Sequence, residues 1–259
     1  MAERNLELLQ FRFSPYNEKA RWALDYKGMA HGRVDLLPGP HMPRVRKLTG
    51  QTATPVLKIG NEVVWGSARI IDTLERLQPM PALHPTDPTA RDAALAIQER
   101  FDEDWGPRLR RAALAAMIGD SGYLCRTFGQ GQPVVAKAVY RLVLPLAKGM
   151  IAKGNGIRGP ESILVGDRAV AEALDFVAET SAETGYLVGG TFSVADLAAA
   201  AMLAPAVNPP HPDMAKPEPK SPGLARWLAR WADHPGAHWV REMYRRHRGS
   251  AVAGAGATG

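Results

Sequence analysis

A single cysteine, Cys125, stands in the 259 residues, which excludes an internal disulfide and any dithiol redox pair. A buried structural thiol is its expected role. Long apolar runs are missing too: the longest stretch, Leu197 to Val207, is too short to span a bilayer. The opening Met1-Ala2-Glu3-Arg4-Asn5 has no signal-peptide core, so a cytoplasmic location without a membrane partner is expected. His211, His234, His238 and His247 lack metal-like spacing to a carboxylate or to cysteine, and no metal site is expected. There is no glycine-rich phosphate loop and no Ser-His-Asp arrangement. Neither sign of charge dominates, since 32 Lys and Arg against 26 Asp and Glu leave a net +6. Only Arg241, Arg245, Arg246 and Arg248 cluster. They read as a solvated helix end, not as a nucleic-acid surface.

What is present is ordinary in bulk, with 46% hydrophobic and 22% charged residues, enough for one large domain or two modest ones. The chain is organised around Phe11 to Leu24. Before it, Leu6, Leu8, Phe11 and Phe13 form a short apolar run that predicts a strand. After it, Ala20, Trp22, Ala23, Leu24 and Tyr26 predict a helix closing at Lys27-Gly28. Between them, Ser14 can cap the helix and Pro15 suits its first position. Such a turn leaves free amide N–H groups and the positive end of the helix dipole beside Ser14. That is a place to hold an anion or a thiolate. From these residues alone, a plain N-cap is an equal reading of Ser14.

A second cluster starts at Thr54-Pro55. A strand begins there, Gly60-Asn61 turns a hairpin, Glu62 to Trp65 pairs back, and Gly66-Ser67 opens a helix. This order of elements resembles the thioredoxin-like domain of the serine-type cytosolic glutathione transferases and their glutaredoxin relatives. In the redox relatives the slot Ser14-Pro15-Tyr16-Asn17 reads Cys-Pro-Tyr-Cys, and both cysteines are replaced here.

The resemblance implies that Ser14 holds the glutathione thiolate. It implies that Thr54, before a cis Pro55, pairs its backbone with the cysteinyl residue. Ser67 and the start of its helix would bind the γ-glutamyl carboxylate. His41, in the stiff loop from Leu37 to Pro43, would meet the glycyl carboxylate. Gly66 stands where the family usually has Glu or Gln, and Ala53 where a lysine is often seen, so two side-chain contacts are missing. Tyr16 could touch the sulfur or a co-substrate, with aromatic packing the equal alternative. Asn17 would satisfy the first helical turn.

The expected fold is thus an α/β thioredoxin-like N-terminal domain over residues 1–80, then an all-α helical domain over 85–248, the glutathione transferase fold. A flexible tail is expected over 249–259. Within the second part, a long helix is expected over Thr89–Met117, kinked or broken at Pro107. Further helices are expected over Val134–Lys153 and Arg168–Thr184. Ser193 and Asp196 form a capping pattern before an apolar helix, with Phe192 as a hydrophobic staple. Asn208–Pro222 reads as an exposed loop, and Leu224–Trp231 and Trp239–Arg246 as the last helices. Lys19 and Arg21 read as local charge pairing at the surface or between domains. The expected function is conjugation of the glutathione thiolate, as co-substrate, to a small apolar electrophile. A non-catalytic binder on the same fold is the alternative. A homodimer is expected, with Arg69 and Arg76 meeting Asp102-Glu103-Asp104 across a two-fold axis.

Overall fold

Strand β1 (Leu6–Gln10) is flanked on both edges, and its residues are buried almost without break, as a central strand requires. A computed structural model describes residues 5–250. The rest of the expected tail, residues 251–259, lies outside the described residues. Helix α1 (Pro15–Tyr26) follows β1, and β2 (Gly32–Asp35) returns parallel to β1 with Leu9 opposite Val34. Then come α2 (Met42–Thr49), the antiparallel pair β3 (Val56–Ile59) and β4 (Glu62–Trp65), and α3 (Ser67–Leu77). The sheet order is β2-β1-β3-β4, the mixed thioredoxin-like arrangement. Strand alternation divides the apolar side chains between two faces. Leu6, Leu8 and Leu57 join the large core under α1 and α3, whereas Leu9 and Val56 pack with Val45 of α2.

The second unit is helical. It runs through α4 (Pro88–Glu99), a π-helical segment (Arg100–Trp105), α5 (Gly106–Ile118), α6 (Ser121–Phe128), α7 (Val134–Gly154) and α8 (Pro160–Thr180). Then follow α9 (Val194–Val207), α10 (Pro222–Ala229) and α11 (Pro235–His247). Every residue of α9 is buried, and α1, α4, α5, α8 and α11 pack around it. Its start is the expected capping box: Ser193 Oγ accepts from Ala195 N, and Asp196 accepts from Ser193 N at 2.9 Å. Asp196 also accepts from Leu187 N at 2.8 Å, which ties the incoming loop to the helix.

Several expectations change. Pro107 does not break the long helix. The path continues because one wide turn absorbs the residue, with Gly106 N donating to the Phe101 carbonyl five residues back. Helix α8 starts at Pro160, not Arg168, since proline suits a first helical position. Helix α6 was not expected at all. Phe192 stacks on the His247 ring at 4.2 Å and on Trp22 at 5.7 Å, joining α11 to α1. Cys125 is only half-buried. Helix α7 leaves Val135, Leu142, Leu146 and Met150 exposed, an unusual share of apolar surface for one helix.

The largest revision concerns charge. Lys19 pairs between the units and Arg21 pairs locally, as one of the two readings had it, but both are fully buried, and so is the Arg248 side chain, which belongs to no solvated helix end. The loop 208–221 is not simply exposed. It sends Met214, Asp213 and Lys216 inward, because their polar partners sit on α1, β2 and the end of α9. Arg245 and Arg246 do remain exposed, both paired with Glu242.

Candidate functional site

Ser14 occupies the N-cap position of α1 with extended backbone (φ −80°, ψ 128°), and its carbonyl accepts the first helical bond from Glu18 N. Its side chain makes no capping hydrogen bond. The hydroxyl is therefore left for something else, at the point where the free N–H groups of the first turn gather.

Ser14 lines a cavity of about 220 Å³ between the two units. One wall is Phe11, Phe13, Ser14, Pro15 and Tyr16 with Pro38, Ala53 and Thr54. The facing wall is Arg110, Ala113, Leu114 and Met117, spaced i, i+3, i+4, i+7 on one side of α5. Thr127 and Phe128 of α6, Ile151 of α7 and Asn155 just beyond it close the top, and Pro205 and Lys216 complete the lining. An apolar body with few polar groups fits such a space.

Prolines shape the polar features here. The π-helical register runs from residue i to i+5, so the Asp102 carbonyl would take its hydrogen bond from residue 107. That residue is a proline and has no N–H. The Tyr16 hydroxyl supplies it instead, donating to the Asp102 carbonyl at 2.7 Å. Burial holds the Tyr16 phenol well above its ordinary pKa despite Arg110 nearby, so it stays protonated. The Asp102 carboxylate in turn accepts from Lys19 Nζ at 2.6 and 2.5 Å, a buried bridge from α1 to the helical unit. Tyr16 and Lys19, both on the helix that Ser14 caps, thus fasten α1 to the π segment.

Asn17 does not satisfy its own helical turn. Its Nδ2 donates to Thr54 Oγ1 at 3.1 Å, linking α1 to the loop before β3. The Thr54–Pro55 bond is cis, and no described residue takes up the Thr54 backbone N–H or C=O. Pro55 is buried, and its carbonyl accepts from Gly66 N at 3.1 Å. Gly66 has φ +87°, a conformation that L side chains rarely adopt, so glycine suits this N-cap. Ser67 is the first residue of α3 and is buried. Pro55, Gly66 and Ser67 lie outside the cavity lining, connected to it through Thr54.

His41 is placed differently from a free ligand group. Its Nδ1 accepts from Gly39 N at 3.1 Å, and its Nε2 stands 3.0 Å from the Thr52 carbonyl, as a donor in the matching tautomer. Burial lowers its pKa, so the ring is neutral at pH 7. It stands edge-on to Phe11 and braces the loop that leads to Thr54. Arg110 and Lys216 are the cavity's charged residues, and neither was expected. Arg110 shares an apolar helix face, which carries a signal. Lys216 sits in a proline-rich stretch with none.

Among the described residues, no group of acidic, histidine or cysteine side chains could hold a metal ion. No described helix is long and apolar enough to cross a membrane. A search of curated protein sequences found no match. Solved structures are similar over most of their length. One is a glutathione S-transferase from Rhodospirillum rubrum F11 at 17% identity, with 93% of this chain and 88% of that one covered and a TM-score of 0.64. Another is a glutathione S-transferase from Methylobacillus flagellatus with glutathione bound, at 19% identity, 93% and 96% coverage and a TM-score of 0.63. A third is a beta-etherase from Sphingobium sp. strain SYK-6, at 22% identity, 92% and 99% coverage and a TM-score of 0.59. These likenesses establish the fold. The family models for the glutathione S-transferase N-terminal domain and C-terminal domain match residues 8–89 and 160–230. Helices α6 and α7, which close the cavity, lie between the two matched segments. With both domain models matched in order over more than half its length, the chain belongs to the glutathione S-transferase superfamily.

Proposed function

We propose that this protein is a glutathione transferase that adds the glutathione thiolate to a small, largely apolar electrophile. The observation that carries the reading is Ser14, which lines the cavity at the N-terminus of α1 with a side chain its own helix does not use as a cap. A thiol near pKa 8.5 is mostly protonated at neutral pH, and each unit of lowering takes about 1.4 kcal/mol. One hydrogen bond from Ser14 to the sulfur plus the helix terminus supplies on the order of 1.5–3 kcal/mol. The open backbone groups of Thr54 suit strand-like pairing with the cysteinyl residue. The N-terminus of α3 at Ser67 suits the γ-glutamyl carboxylate, with Gly66 and Pro55 holding the loop in place. His41 acts at one remove in this reading, by bracing the Thr52 carbonyl. The electrophile then lies against the α5 face.

The test is Ser14→Ala with a chlorinated nitroaromatic substrate. The rate should fall by about 1–3 kcal/mol of barrier, roughly 5- to 150-fold, with a higher apparent pKa in the rate profile. Unchanged rate and pKa would leave Ser14 as a cap. A second reading, a glutathione or ligand binder without turnover, is favoured by Gly66 and Ala53, which offer no side-chain contact. Calorimetric binding of glutathione by a protein that turns over no electrophile would select it. We propose a cytoplasmic homodimer as the working form. Asp102 and Asp104 are engaged by Lys19 and Arg108 within the chain, so Glu103 is the acid left for Arg69 or Arg76 of a second copy.

A further inference from the structure

The charged residues of the cavity lining are both cations. No Asp or Glu lines it, and neither Arg110 nor Lys216 has a carboxylate partner among the described residues. Arg110 is exposed at the rim, with its guanidinium carbon 5.8 Å from the Tyr16 ring centroid. Lys216 is buried, at 6% exposure. A lysine of this kind needs a reason, because burying an ammonium ion without an anion is costly.

Part of the reason is local. Helix α9 ends at Val207, and Asn208 turns left-handed at φ 51°. The Pro205 carbonyl would next look to the N–H of residue 209, which is a proline. Lys216 Nζ donates to that carbonyl at 2.9 Å, while Lys216 N donates to Asn208 Oδ1 at 3.0 Å. An ammonium has three donors, and one carbonyl uses one of them. Nothing else in the described protein takes the others.

We propose that Lys216, with Arg110 at the rim, binds the carboxylate of an acidic electrophile whose apolar body lies against Ala113, Leu114 and Met117. The inference rests on the transferase reading and names the substrate class of its second site. The γ-glutamyl carboxylate is assigned to Ser67 and the cysteinyl backbone to Thr54, whereas Lys216 comes from the loop after α9. Burial, with Lys220 adding to it, brings the Lys216 pKa down to about 7 in the empty site. Of the other groups facing the cavity, Arg110 is a second cation and the Tyr16 phenol is held protonated by burial, while Lys220 is itself paired with Glu218. A bound carboxylate favours the charged amine and raises its pKa, so above about pH 7 binding takes up a proton. Affinity for an acid therefore falls as pH rises, and affinity for its neutral ester does not.

Titration calorimetry with cinnamate and with methyl cinnamate tests this on the full chain without glutathione. The wild type should prefer the acid at pH 6.5 and lose that preference toward pH 9. Lys216→Met should weaken cinnamate about tenfold and leave the ester unchanged, and Lys216→Arg should retain the acid. Equal binding of acid and ester, or no binding of cinnamate, overturns the proposal. So does an equal loss of both in Lys216→Met, which would make the lysine a purely structural cap of Pro205. If Lys216→Met weakens glutathione instead, the residue belongs to the tripeptide and the proposal fails. Failure of the transferase reading shows separately, as a protein that binds cinnamate in this way but not glutathione.

Discussion

Replacing Arg248 by methionine should destabilise the protein by about 3–5 kcal/mol, the usual loss when one partner leaves a buried ionic cluster. The magnitude follows from a charge count. Arg248 Nε donates to Glu18 at 2.8 Å, Nη1 to Asp25 at 2.8 Å and Nη2 to Asp213 at 2.6 Å. Arg21 also pairs with Glu18, and Arg33 with both Asp25 and Asp213. Three guanidiniums therefore meet three carboxylates, and methionine leaves one negative charge in excess in a largely buried cluster. Burial raises the carboxyl pKa values, but the arginines outweigh it. They hold Glu18 below the usual range and Asp213 at about 2. Because these folded values lie below the unfolded ones near ~4, the network contributes above that pH and fades as pH falls toward about 2. In the variant, protonation of the unpaired carboxyl relieves the excess charge. The gap between wild type and variant should then narrow between pH 6 and pH 3.

Urea unfolding followed by tryptophan fluorescence measures both, since Trp22 Nε1 donates to the His247 carbonyl beside this cluster. Arg245→Met is the control, because Arg245 is exposed and pairs only with Glu242, and it should change nothing measurable. A loss below about 1 kcal/mol in Arg248→Met, or a gap independent of pH, would refute the charge count.

Asp196→Asn should cost about 2–4 kcal/mol in the same assay, because one of its two acceptor oxygens becomes an NH₂ facing the N–H donor of either Leu187 or Ser193; a loss no larger than that of a surface substitution would contradict this. Light scattering at micromolar concentration should give a mass near twice the chain's 28.0 kDa, and a constant mass near 28.0 kDa would exclude the dimer.

Local signals carried much of this fold into view from the sequence. The strand and helix around Ser14-Pro15, the hairpin at Gly60-Asn61 and the Ser193–Asp196 box each depend on residues within one turn of each other. The structure agrees with the sequence reading at all of them. What stayed hidden depends on distant partners. Arg248 and Glu18 meet across most of the chain, so a terminal arginine reads as solvated until the fold brings the carboxylate to it. Asn208–Pro222 has the composition of an exposed loop because its buried polar groups are satisfied by α1 and α9, not by each other. For the site, the wall from Phe11 to Tyr16 was legible, and the Lys216 corner was not.

The π-helical segment sets the phase of everything after it. An α-helix turns about 100° per residue, so one residue more or less between Arg100 and Trp105 would rotate α5 by that angle about its axis. Arg110, Ala113, Leu114 and Met117 would swing away from the cavity together, and a neighbouring face of α5 would take their place. Insertion or deletion at this one turn would therefore exchange a whole wall of the cavity without substituting any residue that lines it. Sequence comparison at pocket positions would miss such a change entirely. In this chain the length of the segment between α4 and α5 thus decides which face of α5 meets the cavity.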